Sequence, residues 1–259
     1  MRIPILMYHR IGEAHNDWER KYCVTPTQFK AHMSRLAADG WRALSLHEFF
    51  DWLEHGVSPP GNPFLLTFDD GFLGLHAHAA DVLTHLGWPA TVFLVSGLIG
   101  RTDEWCVGHN PSGETYPLLS SMHIRELATL GFTFQSHTRT HADLPSLSDH
   151  QLNEELRISR AELATLLGHS VDYLAYPYGH HDERVIRLTR DAGYRAAFSV
   201  QPGFNRVDVD RFRLRRLDVF GSDSEQALAR KINLGSNDGS LWNTLHYRGS
   251  RILARLGLN

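Results

Sequence analysis

Cysteine is nearly absent from this 259-residue chain, which holds only Cys23 and Cys106. Two thiols cannot build a disulfide framework or a four-thiolate zinc site, so the fold has to be held by apolar burial. Long apolar runs are missing as well. Nothing approaches the roughly 20 residues that cross a bilayer. The opening run Ile3-Pro4-Ile5-Leu6-Met7-Tyr8 ends in His9-Arg10 and is too short for a signal-peptide core. These absences lead to the expectation of a reducing, cytoplasmic setting. Blocks of one charge sign are also lacking, and the formal net charge is −3, which leaves no electrostatic case for a nucleic-acid partner.

What the chain does have is apolar material and histidine. Hydrophobic residues make up 42% of the sequence, enough for one large domain. The 17 histidines motivate a search for a metal or proton-transfer site without locating one.

Short apolar or alternating runs recur at Ile3–Tyr8, Phe64–Phe68, Thr91–Val95, Phe132–Ser136, Val171–Tyr176, Ala196–Val200 and Leu214–Val219. Helical spacing fills the segments Thr27–Ala38, Leu75–Leu86, Ser121–Leu130, Asp149–Leu167 and Asp182–Ala192. Asp149 and Asp182 suit N-caps, and glycines such as Gly87 and Gly168 follow predicted helix ends. This alternation predicts an α/β fold built on a mainly parallel sheet, open or closed into a barrel. Gly12–Lys21, Gly56–Pro63, Arg101–Pro117 and Gly203–Arg211 read as long loops on one domain.

Three predicted strand ends carry chemistry, at the edge where parallel α/β folds place their active sites. Thr67-Phe68-Asp69-Asp70-Gly71 sets two adjacent carboxylates before a turn-forming glycine. One acid can hold a metal while the other moves protons. Ser136-His137-Thr138-Arg139-Thr140-His141 puts two imidazoles four residues apart, on one face if a helical turn follows the strand. One carboxylate and two imidazoles leave room for water on a Zn²⁺-like ion. Ala175-Tyr176-Pro177-Tyr178-Gly179 bends the chain at Pro177, and the N–H of Tyr178 is a candidate oxyanion donor.

In this order the three segments resemble the motifs of the polysaccharide deacetylases, the NodB-like domain of carbohydrate esterase family 4. Ile5-Leu6-Met7-Tyr8-His9-Arg10-Ile11-Gly12 and Leu214-Arg215-Arg216-Leu217-Asp218-Val219 look like members associated with bacterial surface-glycan synthesis. The resemblance spans roughly residues 3–220. It implies a distorted (β/α) barrel of about seven parallel strands over residues 1–220, with 221–259 as a C-terminal helical extension packed on the same domain. It also implies removal of an N-acetyl group from an amino sugar by a metal-dependent hydrolase. Asp70, His137 and His141 would hold one divalent ion, Zn²⁺. Asp69 would be the general base for the attacking water, with Pro177 and Tyr178 against the substrate.

The chain departs from the family pattern at two places. Many members carry an Arg two residues before the motif-three proline to orient the catalytic Asp, and here that position is Ala175. Arg216 is the candidate replacement and Arg215 the alternative, because strand alternation sends the two to opposite faces. The late Leu-x-His that supplies a general acid in the family has no clear equivalent. His9, ending the first strand, ranks ahead of His246 for a site role. Two competing functions are a deacylase or deformylase of a lipid-linked amino sugar and a non-catalytic glycan-binding protein. On a helical wheel Leu241, Leu245, Ile252 and Leu256 gather beside Arg248, Arg251 and Arg255. That pattern predicts a peripheral contact with the inner face of a membrane.

Overall fold

The computed structural model of the chain describes residues 1–240. The predicted membrane-facing helix and His246 lie outside the described residues. No helix among the described residues is long and apolar enough to cross a membrane.

In chain order the elements are β1 (Ile5–Tyr8), β2 (Arg10–Ile11), α1 (Asp17–Arg20), β3 (Cys23–Val24), α2 (Pro26–Ala38), β4 (Trp41–Leu44) and α3 (Leu46–His55). They continue with β5 (Asn62–Phe68), α4 (Ala80–Leu86), β6 (Ala90–Leu94), α5 (Ser121–Thr129), β7 (Phe132–Ser136), α6 (Asp149–Leu167) and β8 (Tyr173–Ala175). The last are α7 (Glu183–Asp191), β9 (Ala196–Phe198), β10 (Leu217–Asp218) and α8 (Glu225–Leu234).

The main sheet is parallel and runs β10-β1-β5-β6-β7-β8-β9, with β4 also paired to β5. A parallel bridge between Phe198 and Leu214 links β9 to the chain entering β10, so the sheet curls into the expected distorted (β/α) barrel. β4 pairs with Asn62–Leu65 in the lower half of β5, and Leu65 meets Ile5 and Leu44 on its two edges.

Strand alternation divides the core into two layers. Leu6, Tyr8, Leu66, Phe68 and Leu217 join the layer packed under the helices. Ile5, Leu65, Phe93, Phe198 and Leu214 join a separate inner cluster with Phe49, Phe50 and Trp52 of α3. Two and four residues further on, the inward positions of β10, β1 and β5 are Arg216 and Asp218, Met7 and His9, Thr67 and Asp69. The barrel interior is therefore apolar at one end and chemically equipped at the other.

β2, β3, β4 and α3 add to the expected elements, and the short helix α1 forms inside the expected loop 12–21. α3 carries a complete capping box, with Ser45 and Glu48 each bonding the other's backbone N–H. The N-cap of α6 is Ser148, not Asp149, because Ser148 Oγ accepts from Gln151 N and Gln151 answers with a reciprocal bond. Asp182 caps α7 as expected. The extension begins without a domain boundary: Leu228 and Ile232 of α8 belong to the same core as the barrel strands. Lys231, on the buried face of α8, binds Asp223 at 2.5 Å and the carbonyl of Asp218 at 3.1 Å.

Candidate active site

Asp69 and Asp70 leave the end of β5 on a turn that only certain residues tolerate. Asp70 has φ of 69° and Gly71 of 78°. A Cβ on Gly71 would fall 2.6 Å from Leu94 Cδ2, so the site needs glycine for space as well as for conformation. The turn separates the two carboxylates. Asp69 points inward under Arg216, while Asp70 turns toward β7.

Arg216 is fully buried and grips both oxygens of Asp69, Nη1 to Oδ1 at 2.6 Å and Nη2 to Oδ2 at 2.8 Å. Its Nε donates to the carbonyl of Ser199 at 2.9 Å, which fixes the plane of the guanidinium. Arg215 leaves on the opposite side and reaches the carbonyl of Pro202 at the surface. Burial alone would raise the Asp69 carboxyl. The Arg216 guanidinium outweighs it, helped by His137, and holds the group at about 2. Asp70 has no such cation. Burial and the neighbouring Asp69 charge push its carboxyl well above the ordinary value.

His137 continues the inward face of β7, and its Nδ1 donates to the carbonyl of Ala175 at 2.8 Å. A carbonyl only accepts, so Nδ1 carries the proton and Nε2 offers a lone pair to the site. Ala175, the position left without an arginine, thus fixes this imidazole through its backbone. His141 arrives differently from the expected helical turn. Thr138 and His141 adopt φ of 65° and 62°, and no helix forms between them. Glu155 of α6 holds that bend by accepting from the backbone N–H of Arg139 and Thr140, each at 2.9 Å. Burial depresses both imidazoles, His137 to about 4 and His141 well below its ordinary value.

The result is a cluster of Asp70, His137 and His141 whose ligand atoms all lie within 4.8 Å of one another. Asp70 Oδ1 stands 3.5 Å from His137 Nε2 and 3.3 Å from His141 Nε2, yet it has no hydrogen-bond partner among the described residues. A buried acceptor facing two neutral imidazoles is short of a positive charge, and a divalent cation fits that deficit.

These groups open into a cleft of about 470 Å³. His9 lines it, and its buried Nδ1 has no partner among the described residues. Burial brings the His9 imidazole down to about 4, against the pull of Asp69. Tyr178 lines the cleft too, with its ring edge-on to His141 at 4.6 Å. Pro177 is buried behind it and does not line the cleft, so of that pair only Tyr178 faces the space where substrate was expected.

Much of the cleft wall went unnamed in the sequence reading. Trp105 stacks on His141, with ring centroids 4.5 Å apart and planes 19° from parallel. Buried Glu19 of α1 accepts from Arg10, Asn110 and Tyr116 at 2.8, 3.0 and 2.8 Å. That carboxylate ties the 12–21 and 101–117 loops together. The available signal was the length of those two loops, which is where binding residues concentrate.

A family model for polysaccharide deacetylases matches residues 56–197. The protein YxkH of Bacillus subtilis is 27% identical over 231 residues, covering 89% of this chain and 76% of that one. The poly-beta-1,6-N-acetyl-D-glucosamine N-deacetylase of Staphylococcus epidermidis is 28% identical over 224 residues, covering 82% of this chain and 73% of that enzyme. Among solved structures, the Streptococcus pyogenes deacetylase PplD with acetate superposes with a TM-score of 0.76 at 22% identity, covering 90% of this chain and 98% of that one. A polysaccharide deacetylase from Bacillus cereus superposes at 0.75 with 26% identity, covering 90% and 69%.

Proposed function

This chain belongs to the polysaccharide deacetylase family, and on that premise we propose that it removes N-acetyl groups from N-acetylglucosamine residues of a β-linked surface glycan. The observation that carries the reading is the division between two adjacent carboxylates. Asp69 is clamped and ionised by Arg216, and Asp70 Oδ1 lies between two imidazoles with no hydrogen-bond partner among the described residues. A protein that only bound glycan would need neither. The activity of the staphylococcal relative supports the choice of sugar.

One Zn²⁺ held by Asp70, His137 and His141 would supply Lewis-acid polarisation and make a water more acidic. Asp69 accepts the proton of the attacking water. Arg216 keeps both oxygens of Asp69 in place, so the base is aimed before substrate arrives. The backbone N–H of Tyr178 is the proposed donor to the oxygen that gains charge as the acyl carbonyl is attacked. The proton that Asp69 takes from the water is then available to the departing sugar nitrogen, while His9, kept neutral by burial, lines the same cleft. Products are a free amine on the sugar and acetate.

Mass spectrometry of β-1,6- and β-1,4-linked N-acetylglucosamine oligomers incubated with the metal-loaded protein tests the proposal. Loss of acetyl groups matched by released acetate supports it. Intact oligomers alongside hydrolysis of a lipid-linked amino sugar would move the substrate elsewhere.

A further inference from the structure

The large apolar side chains that stay exposed are not spread evenly over this protein. Among the described residues, the exposed aromatic ones are Trp18, Tyr22 and Tyr178, and all of them line the catalytic cleft. The other exposed large hydrophobics (Met1, Val57, Val107, Met122, Leu130 and Val207) are aliphatic, and none lines it. A concentration of exposed aromatic surface at one place marks a binding surface rather than leftover apolar area.

Most cleft aromatics already have ring partners. Trp105 is stacked on His141, Tyr116 lies under the Arg10 guanidinium at 3.5 Å, and Tyr178 meets His141 edge-on. Tyr22 packs against His9, with centroids 4.8 Å apart. Trp18 has no ring or cation contact among the described residues, and it is 42% exposed. Its mount is rigid nonetheless. Asn16 caps α1 by accepting from Glu19 N at 2.9 Å, and its amide reaches Asn110 at 2.9 Å. Glu19, next in the chain to Trp18, is the carboxylate that joins the two loops. An indole held by a buried network but left bare on the cleft side is preorganised for a flat ligand.

We propose that Trp18 is a sugar-stacking platform for a residue next to the one being deacetylated. This rests on the reading of the cleft as a deacetylase site. A β-linked hexopyranose presents C–H groups on its ring face, and the electron-rich face of an indole complements them. Tyr22 extends the same wall toward His9, which connects the platform to the reacting centre.

The test uses N-acetylglucosamine and its β-1,6-linked tetramer with the full-length, metal-loaded protein and its Trp18→Ala and Trp18→Phe variants. The expected result is that Trp18→Ala lowers the tetramer-to-monomer ratio of kcat/KM about tenfold through KM, while Trp18→Phe keeps most of it. Equal losses on monomer and tetramer, or none on either, would overturn the platform. Calorimetric binding of the fully deacetylated tetramer provides a readout that needs no turnover. Weaker binding to Trp18→Ala than to the parent supports the platform even if no acetate is ever released, and equal binding rejects it.

Discussion

Arg216 and Asp69 meet in a planar, two-bond contact inside the barrel, although 147 positions separate them in the chain. The contact depends on neighbouring strands. β10 pairs with β1 and β1 with β5, so Arg216, just before β10, and Asp69, just after β5, project inward from the two strands that flank β1. An arginine supplied from here leaves position 175 free for a small residue.

Replacing Arg216 should therefore damage activity and stability together. Arg216→Ala leaves a buried carboxylate without its cation, which costs about 3–5 kcal/mol in denaturant unfolding. Turnover should fall by about a hundredfold or more, because the base is no longer aimed. Arg215→Ala, at the surface, should change either quantity little. Similar small effects from both variants would remove Arg216 from its positioning role.

The same geometry predicts the outcome of moving the arginine. Ala175 is fully buried in the inner cluster with Phe198, whose ring lies 6.0 Å from the Arg216 guanidinium. Ala175→Arg alone forces a second cation into that space and should destabilise by several kcal/mol, on the order of the cost of an unpaired buried charge. In an Arg216→Ala background the same substitution should cost less, because space and a carboxylate partner become available. A double-mutant cycle by chemical denaturation measures the coupling, and strict additivity would contradict the shared site.

Glu19 should control the cleft wall rather than the chemistry. Glu19→Ala strands several donors at once and should lower stability by about 1–3 kcal/mol. The 101–117 loop should then be cut faster by protease, with KM rising more than kcat falls. Unchanged cleavage would show that the loop is held by other contacts.

The parts of the fold that repeat a simple period were the most legible. β7 and α6 fall on the residues expected, since Phe132–Ser136 alternates and Asp149–Leu167 keeps helical spacing. β4 escaped notice because Arg42 interrupts a four-residue run on a strand paired along one edge only. α3 was available through Ser45 and Glu48 but was masked by its aromatic content, which is what closes the apolar end of the barrel. At the site, residue types and strand ends were enough to nominate Asp69, Asp70, His137 and His141, whereas Arg216 was nominated, with Arg215 as the alternative, only through the family resemblance and the small residue at Ala175. The route that brings His141 to Asp70 was not legible. It runs through left-handed Thr138 and His141, conformations no hydrophobic pattern encodes. Trp18 and Glu19 lay in a loop without periodicity, where only tertiary contacts assign a role.

Metal content should follow the Asp70 cluster alone. Wild-type protein should bind one divalent ion per chain, and His141→Ala should lose it, since removing one of three ligands leaves an open, weak site. Full loading of His141→Ala in elemental analysis would place the ion elsewhere.

The central claim is that neighbouring Asp69 and Asp70 do different work, and Asp69→Asn measures this most directly. Acetate release from N-acetylglucosamine oligomers and zinc content by elemental analysis are recorded on the same preparation. The account predicts one ion per chain as in wild type, with turnover reduced to below about a hundredth, because an amide cannot take the proton of the attacking water. Loss of the ion together with activity, or turnover above that level with the ion in place, would contradict it.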